Sequence, residues 1–315
     1  MNMTMTRRIT EGETSDGIPY VRVSGVYPFD AEATFLCGQC FRFDPVEDAD
    51  RDVFGTDKVY GGVAHGRYIN VSSPDLDTVV IEGATAEDFD IIWSRYLGFD
   101  MDYAGIIEKV KIRWGEESRI AEAAHAGRGI RIMRQDPWET LCSFIISQNN
   151  NIPRIKGIID RLCRRCGTPI PYRGDVKYAF PTAHALTADT GWIAEARMGF
   201  RAKYVSDAAS RVAGDQDFLT CVAEAGTYDE ADVLLRTVRG VGPKVSACTL
   251  LFGFDRCEAF PVDVWIRRTV GKYFDGSSPD EIDFGELAPY AGILQQYIFN
   301  YERNLGGAET KMNGD

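Results

Sequence analysis

Residues 234–248 read Leu-Leu-Arg-Thr-Val-Arg-Gly-Val-Gly-Pro-Lys-Val-Ser-Ala-Cys. This stretch predicts a helix, a tight turn through Gly240 and Gly242, and a second helix that begins at Pro243. The exposed amides of such a turn and the positive end of the second helix form a site for a phosphate group. An ordinary αα-hairpin has the same outline, so Gly-x-Gly alone is weak evidence for phosphate binding.

Lys244 lies in the first turn of the second predicted helix. At that position the helix dipole disfavours a cation, which favours the neutral and nucleophilic form of the amine. A surface lysine without a special role is the alternative. Nineteen residues further along, the run Phe-Pro-Val-Asp-Val-Trp at 260–265 places Asp263 before another helical stretch, where an aspartate is usually an N-cap.

The rest of the chain divides into a strand-like part and a helical part. Alternating apolar and polar residues predict strands at 20–23, 41–43, 59–63, 68–71 and 79–81. From Thr85 the spacing becomes helical, with a helix opened by Asp136 and Pro137 and others at about 152–166, 201–213, 229–238, 243–254, 263–273 and 284–304. We therefore predict an α+β fold, with an N-terminal antiparallel β-sheet domain (1–100), a mostly α-helical part (101–305) and a frayed tail (306–315).

The charge is unevenly distributed. A net charge of −12 argues against a protein that coats DNA through a generally basic surface. Residues 151–211 nevertheless hold eleven basic side chains against five acidic ones. This segment is either a face that binds a polyanion or a solvated helical face whose arginines pair with acids elsewhere.

Eight cysteines in 315 residues are too sparse for a disulfide scaffold, so we expect reduced thiols and an intracellular protein, in the cytoplasm or nucleoid, or in the nucleus of a eukaryote. No apolar run is long enough to span a membrane. The pairs Cys37/Cys40 and Cys163/Cys166 are too far apart for a compact zinc module, and the first is followed by a predicted strand where a redox motif requires a helix. We predict no metal and no cofactor.

Four segments carry a resemblance to a known family. Gly240 to Lys244, followed by residues 261–264, resembles the helix-hairpin-helix, Gly/Pro-rich and Asp signature of base-excision DNA glycosylases. Residues 38–43 (Gly-Gln-Cys-Phe-Arg-Phe), 135–154 and 289–292 resemble the 8-oxoguanine DNA glycosylase family in order and approximate spacing. The resemblance spans about residues 30–300. No cysteine follows Cys257, which argues against the subgroup that carries an iron–sulfur cluster.

This resemblance implies two catalytic residues. Lys244 would attack C1′ of the sugar, displace the damaged base and form a Schiff base that leads to β-elimination of the strand. Asp263 would stabilise the cationic, oxocarbenium-like transition state while it caps its helix.

The resemblance also implies a pocket for a base that has left the stack. The Gly38 carbonyl would accept a hydrogen bond from N7-H of oxidised guanine and repel the bare N7 of guanine. Phe299 and Cys248 would enclose the base, and Gln295 would bind its Watson–Crick edge. Taken singly, Gly38 is as readily a turn residue, and Phe299 and Cys248 are more often core residues.

On the other side of the lesion, the resemblance implies that Asn149 fills the vacated stack, that Arg154 and Arg201 bind the estranged cytosine, and that Phe200 wedges between bases. This chain departs from the family pattern at three positions. Pro153 precedes Arg154 where a small residue is commoner, Phe200 replaces a frequent tyrosine, and Trp265 stands where a histidine that contacts phosphate is familiar.

The resulting prediction is a bifunctional DNA glycosylase and lyase that excises 8-oxoguanine opposite cytosine from double-stranded DNA and acts as a monomer. An alkylpurine glycosylase of the same fold is one alternative, although monofunctional relatives lack the nucleophilic lysine. A non-catalytic helix-hairpin-helix DNA-binding protein is another, in which Lys244 would only contact a phosphate.

Overall fold

A computed structural model describes the backbone of residues 7–47 and 49–312, with side chains described as far as residue 305. The N-terminal part forms a six-stranded antiparallel sheet in the order β1-β2-β6-β5-β4-β3. Its strands are β1 (Arg8–Glu13), β2 (Pro19–Ser24), β3 (Phe43–Pro45), β4 (Val59–Ala64), β5 (Arg67–Asp75) and β6 (Thr78–Glu82).

Four of the five predicted strands are confirmed, and the prediction for residues 41–43 is partly wrong. Phe41 and Arg42 form a bend, and strand pairing begins only at Phe43. Sequence patterning also missed β1, because its one apolar residue, Ile9, gives no alternation. The polar residues of β1 suit an edge strand, where charge discourages pairing with other chains.

One face of the sheet is covered by residues 31–36, between β2 and β3, and by the chain that follows β6. Phe35 stacks on Phe43 with ring centroids 4.1 Å apart, and Trp93 and Leu97 are fully buried in the same cluster. Met133, far along the chain, completes that cluster. The sheet therefore packs directly against the helical part, and the boundary that we placed near residue 100 stays a prediction.

Helices make up most of the remaining chain. In chain order they are α1 (Ala31–Leu36), α2 (Arg51–Phe54), α3 (Ala86–Asp88), α4 (Ser94–Tyr96), α5 (Tyr103–Trp114), α6 (Arg119–Ala126), α7 (Pro137–Ser147), α8 (Ile152–Cys166), α9 (Ala183–Ala188), α10 (Trp192–Glu195), α11 (Arg201–Gly214), α12 (Phe218–Glu224), α13 (Tyr228–Arg236), α14 (Pro243–Gly253), α15 (Val264–Thr269) and α16 (Ala291–Met312). A π-helical turn (Phe89–Trp93) joins α3 to α4, and 3-10 turns lie at Val270–Lys272, Pro279–Glu281 and Gly285–Tyr290. The predicted α+β class is thereby confirmed.

The predicted helices agree closely with those observed, and α8 has the predicted bounds. The stretch predicted at 284–304 is a 3-10 turn followed by α16, because Pro289 cannot supply an amide inside a continuous α-helix. The frayed tail from residue 306 stays a prediction, and the backbone of α16 extends through Met312. Residues 313–315 lie outside the described residues.

A two-stranded hairpin interrupts the helical part and was not predicted. It comprises β7 (Pro169–Tyr172) and β8 (Asp175–Tyr178). Glu82 of the main sheet is 1% exposed and accepts hydrogen bonds from Asn70 and Tyr172, and Arg173 of the hairpin turn pairs with it at 3.0 Å. Because a buried carboxylate is stable only when its oxygens are satisfied, these contacts attach the hairpin to the sheet.

In the described part of the chain, no helix is both long enough and apolar enough to cross a membrane.

Candidate functional site

The hairpin predicted at residues 234–248 is present, since α13 ends at Arg236 and α14 begins at Pro243. Gly240 has φ +85°, and a Cβ at this position would lie 2.4 Å from the ring of Tyr204. Both the backbone and the packing therefore require glycine there. Gly242 has extended backbone (φ −97°), and a Cβ there would meet no described atom within 4 Å. This leaves open space beside the first amides of α14, where a phosphate is predicted.

Lys244 is half-buried in the first turn of α14. Its Nζ lies 4.8 Å from the ring centroid of Phe144 on α7. Cys248, one turn further along α14, is 3% exposed, and burial raises the pKa of its thiol while the neighbouring Lys244 ammonium opposes that rise. The lysine amine thus lies against an aromatic ring and beside a thiol instead of extending freely into solvent.

Asp263 immediately precedes α15 and caps it, as predicted. Its Oδ1 accepts a hydrogen bond from the backbone amide of Ile266 at 2.8 Å. Its other carboxylate oxygen accepts no hydrogen bond from any residue that the structure describes. One oxygen therefore holds the helix, and the other is available to a ligand.

A small cavity of about 50 Å³ brings the two catalytic candidates together with the four base-pocket candidates. Its lining comprises Gly38, Phe144, Lys244, Cys248, Phe252, Pro261, Asp263, Gln295, Gln296 and Phe299. Sequence reasoning missed Phe144, Phe252, Pro261 and Gln296. For the three helical residues, the reason is that a residue that lines a pocket and one that fills a core follow the same spacing, while Pro261 lies in a loop without periodicity.

Two polar groups of this lining have no protein partner. Gln295 is 5% exposed, yet among the described residues its amide forms no hydrogen bond. The Gly38 carbonyl is likewise without a donor in the described part of the chain. Gly38 has φ +91°, and a Cβ there would stand 3.5 Å from the Phe299 ring, so a side chain would both strain the turn and narrow the cavity. Since no described residue engages these two groups, they are available to a polar ligand in the cavity.

A larger groove of about 750 Å³ shares Gly38, Lys244 and Asp263 with this cavity. Asn149 also lines the groove and has φ +47°, a left-handed conformation that asparagine tolerates better than most residues. Trp265, next to Asp263 in sequence, lines it as well and is 53% exposed. The groove therefore runs from the cavity to the residue predicted to fill the vacated stack.

Arg201 is 2% exposed, and its guanidinium is bonded to the protein itself. Nε donates to the Gln148 carbonyl and Nη2 to the Asn149 carbonyl, each at 2.7 Å, while Nη1 donates to the Met198 carbonyl at 3.3 Å. The contact with cytosine that we predicted for Arg201 requires exchange of these bonds, and it stays a prediction. In this structure Arg201 holds the loop that carries Asn149.

Arg154 and Phe200 lie beside that loop and are accessible. Arg154 is exposed and forms no ion pair with any described residue. Burial lowers the pKa of the Arg201 guanidinium, and the positive charge of Arg154 lowers it further. Phe200 is 48% exposed, with the Arg201 guanidinium 4.5 Å from its ring centroid. An exposed aromatic ring beside an unpaired arginine is typical of a nucleic-acid contact.

The basic segment 151–211 combines both of the alternatives considered above: some of its basic side chains pair with acidic residues, and others are free to bind a polyanion. Six of its eleven basic residues form ion pairs within the protein: Lys156, Arg164, Arg165, Arg173, Lys177 and Arg211. Arg154, Arg197 and Lys203 are exposed and have no such pair among the described residues. Only the second group is free to neutralise phosphates.

All eight cysteines are free thiols. Among the described residues, no group of three or more His, Cys, Asp or Glu side chains is placed to hold a metal ion.

Comparison with known proteins agrees with this geometry. The family model described as "8-oxoguanine DNA glycosylase, N-terminal domain" matches residues 23–141, and "HhH-GPD superfamily base excision DNA repair protein" matches residues 142–283. A probable N-glycosylase/DNA lyase of Methanothermobacter thermautotrophicus is 31% identical over 220 residues, which cover 61% of this chain and 69% of the relative. The chain belongs to the 8-oxoguanine DNA glycosylase family.

Solved structures of 8-oxoguanine DNA glycosylase relatives extend the likeness over nearly the whole chain. MBOgg1 in complex with a low affinity DNA ligand is 38% identical, with a TM-score of 0.82 over 95% of this chain and 99% of that one. The Clostridium acetobutylicum 8-oxoguanine glycosylase/lyase, in complex with double-stranded DNA containing cytosine opposite 8-oxoG, is 31% identical, with a TM-score of 0.81 over 95% and 98%. The 3-methyladenine DNA glycosylase of Archaeoglobus fulgidus, at 18% identity and a TM-score of 0.67, shares the fold.

Some 8-oxoguanine DNA glycosylase relatives are longer than this chain. The N-glycosylase/DNA lyase of Saccharomyces cerevisiae is 34% identical over 186 residues, and the match spans 48% of its length.

The two hairpin glycines should respond differently to alanine. Gly240→Ala introduces a left-handed alanine and a contact with the Tyr204 ring, so we expect the free energy of unfolding to fall by about 2 to 4 kcal/mol. Gly242→Ala, the matched control, should lower it by less than about 1 kcal/mol, because its backbone is extended and its surroundings are open. Urea unfolding of both variants measures this, and equal losses would contradict the assignment.

Two substitutions at Asp263 should distinguish its role as a helix cap from its proposed role in catalysis. Asparagine also caps helices, so Asp263→Asn should change the free energy of unfolding by less than about 1 kcal/mol, whereas Asp263→Ala loses the cap and should cost about 1 kcal/mol more. Both variants should lose orders of magnitude in single-turnover base excision, because both lack the carboxylate charge. Near-normal excision by Asp263→Asn would leave the residue with a structural role only.

Proposed function

We propose that the protein excises 8-oxoguanine opposite cytosine from double-stranded DNA and then cleaves the strand at the resulting abasic site. The observation that carries the proposal is the cavity that joins the Lys244 amine, the Asp263 carboxylate and the unpartnered Gly38 carbonyl. A glycosylase with lyase activity needs a nucleophile, a group that stabilises positive charge on the sugar and a site that recognises the base. The names of the relatives support both activities.

In the first step, the neutral Lys244 amine attacks C1′ of the flipped nucleotide. The bond between C1′ and N9 breaks, and its electron pair leaves with the base, which takes up a proton. The Asp263 oxygen that is free of the helix cap faces the developing positive charge on the sugar. Because the carboxylate is fixed by its bond to Ile266, it needs no reorganisation at the moment of reaction.

In the second step, the sugar ring opens and the lysine-bound C1′ becomes a Schiff base. Loss of a proton from C2′ then expels the 3′ phosphate by β-elimination, and hydrolysis of the Schiff base releases Lys244. The open face at Gly242 and the first amides of α14 bind a backbone phosphate nearby. No cofactor enters this sequence of steps, and one copy of the chain supplies every group in it.

Recognition is divided between two sides of the base pair. Gly38 and Gln295 bind the edges of the flipped base, while Phe299 and Cys248 enclose it. Asn149 enters the vacated stack, Arg154 and Arg201 bind the cytosine, and Phe200 wedges between bases.

Two alternatives make different predictions about Lys244. An alkylpurine glycosylase of the same fold activates water and forms no covalent intermediate, and a non-catalytic DNA-binding protein uses the lysine only as a phosphate contact. The position of Nζ against the Phe144 ring and beside Cys248, inside the cavity, favours the nucleophile.

Borohydride trapping separates these functions. The wild-type protein should form a covalent adduct with DNA that contains 8-oxoguanine opposite cytosine, and Lys244→Gln should form none, because an amide cannot make a Schiff base. Binding of the same DNA should persist in the variant, since the hairpin amides and the exposed arginines remain. Trapping by the variant at the wild-type level would reject Lys244 as the nucleophile.

Recognition of N7-H by the Gly38 carbonyl can be tested by measuring DNA affinity in a variant that does not cleave the DNA. In the Lys244→Gln protein, DNA with 8-oxoguanine should bind about ten- to a hundredfold more tightly than DNA with 8-bromoguanine, which has an 8-substituent but a bare N7 acceptor. DNA with guanine serves as the reference. Equal affinity for the two 8-substituted bases would show that Gly38 is only a turn residue.

A further inference from the structure

Side-chain amides hold both sides of the Gly38 turn, which we define as residues 37–39. Gln296 Nε2 donates to the Cys37 carbonyl at 3.0 Å. Gln135 Nε2 donates to the Gln39 carbonyl at 2.8 Å. The carbonyl between them, that of Gly38, is the one in the turn that no described residue engages. The turn is thus fixed at its flanks and free at the group proposed to contact the base.

The side chain of Gln39 fixes the turn to both parts of the chain. It is fully buried, and its Nε2 donates to the carbonyls of Thr34 at 2.8 Å and Arg131 at 2.7 Å. Its Oε1 accepts from the Met133 amide at 2.9 Å. A buried amide with both ends satisfied stabilises one geometry and penalises others, because any shift leaves a polar group unpaired.

Gln296 attaches the turn to the other side of the pocket. It is 3% exposed and lies on α16, which also carries Gln295 and Phe299. Arg303, two turns further along α16, donates to the Leu36 carbonyl at 2.9 Å, but its side chain is exposed. The bond from Gln296 to Cys37 is therefore the buried polar link between the turn and the helix that supplies the opposite lining.

We propose that Gln296 is a positioning residue that sets the separation between the Gly38 carbonyl and the Gln295 amide, and so the selectivity for the oxidised base. This inference rests on the proposed function. Hydrogen bonds weaken over a few tenths of an ångström and with poor angles, so a small shift of the turn is enough to lose the contact with N7-H. Lys244 and Asp263 lie on α14 and before α15, and neither side chain forms a hydrogen bond with the turn or with Gln296 in the described part of the chain, so we expect loss of this bond to leave them in place.

The experiment compares two reactions of the same full-length protein. Gln296→Met keeps the shape of the side chain and removes the donor. We expect single-turnover excision of 8-oxoguanine to fall about ten- to a hundredfold, since recognition loses one well-placed hydrogen bond. Strand cleavage at a preformed abasic site, which needs Lys244 but no base, should stay within about twofold of wild type.

Tyr297→Phe is the matched control on the same helix. Tyr297 is fully buried, and its hydroxyl has no hydrogen-bond partner within the described part of the chain. Its loss should leave both reactions near the wild-type rates. Thermal unfolding of each variant establishes that it is folded.

Gln135→Met gives a second test from the other flank and should show the same selective loss. If Gln296→Met fails to fold, the same comparison of base excision with abasic-site cleavage in Gln135→Met decides whether the proposal holds. Equal loss of both reactions, or no loss of either, overturns the proposal. Failure of the wild-type protein to excise 8-oxoguanine would instead overturn the proposed function, and that result is visible before any variant is compared.

Discussion

Helix α14 packs on α7 through the rings of Phe144 and Phe252, which stack with centroids 5.5 Å apart. Gly253 permits this approach, since a Cβ there would lie 3.2 Å from the backbone of Pro137. The same Phe144 ring lies beneath the Lys244 amine. One apolar contact therefore sets the helix–helix geometry and one wall of the cavity, so the position of the proposed nucleophile follows from core packing.

The N-termini of α14 and α15 both lie at the groove, but only one of them has a side-chain cap. The start of α14 has no side-chain cap, so its amides are available to the phosphate that we propose there, while α15 is capped by Asp263. In the proposed function, a protein with net charge −12 would bind a polyanion through a few local features. They are oriented amides and the exposed arginines that internal ion pairs leave free.

Arg201, the residue that we propose to bind the opposite cytosine, also bonds to the loop that carries Asn149. Its buried guanidinium donates to the two carbonyls that follow α7, and Asn149 in that loop has a left-handed conformation. If Arg201 binds cytosine by releasing those carbonyls, occupancy of the opposite-base site and placement of Asn149 would be coupled through one side chain. The three backbone carbonyls offset part of the cost of burying this cation, but no carboxylate in the described part of the chain pairs with it, and burial lowers the pKa of the guanidinium.

The sequence by itself determined the local features: the helix bounds of α8, the capping Asp263, the hairpin glycines and, through motif order, six residues that share one cavity. The helix bounds, the cap and the hairpin depend on contacts between near neighbours in the chain, whereas the six cavity residues were identified through the family resemblance. The tertiary structure alone decided that Arg201 faces its own loop, that the β7–β8 hairpin attaches to Glu82, and that Gln296 holds the turn at Cys37, 259 residues away. The physical reason is that a buried polar group takes whichever partner the folded chain places beside it, and spacing in sequence does not encode that partner.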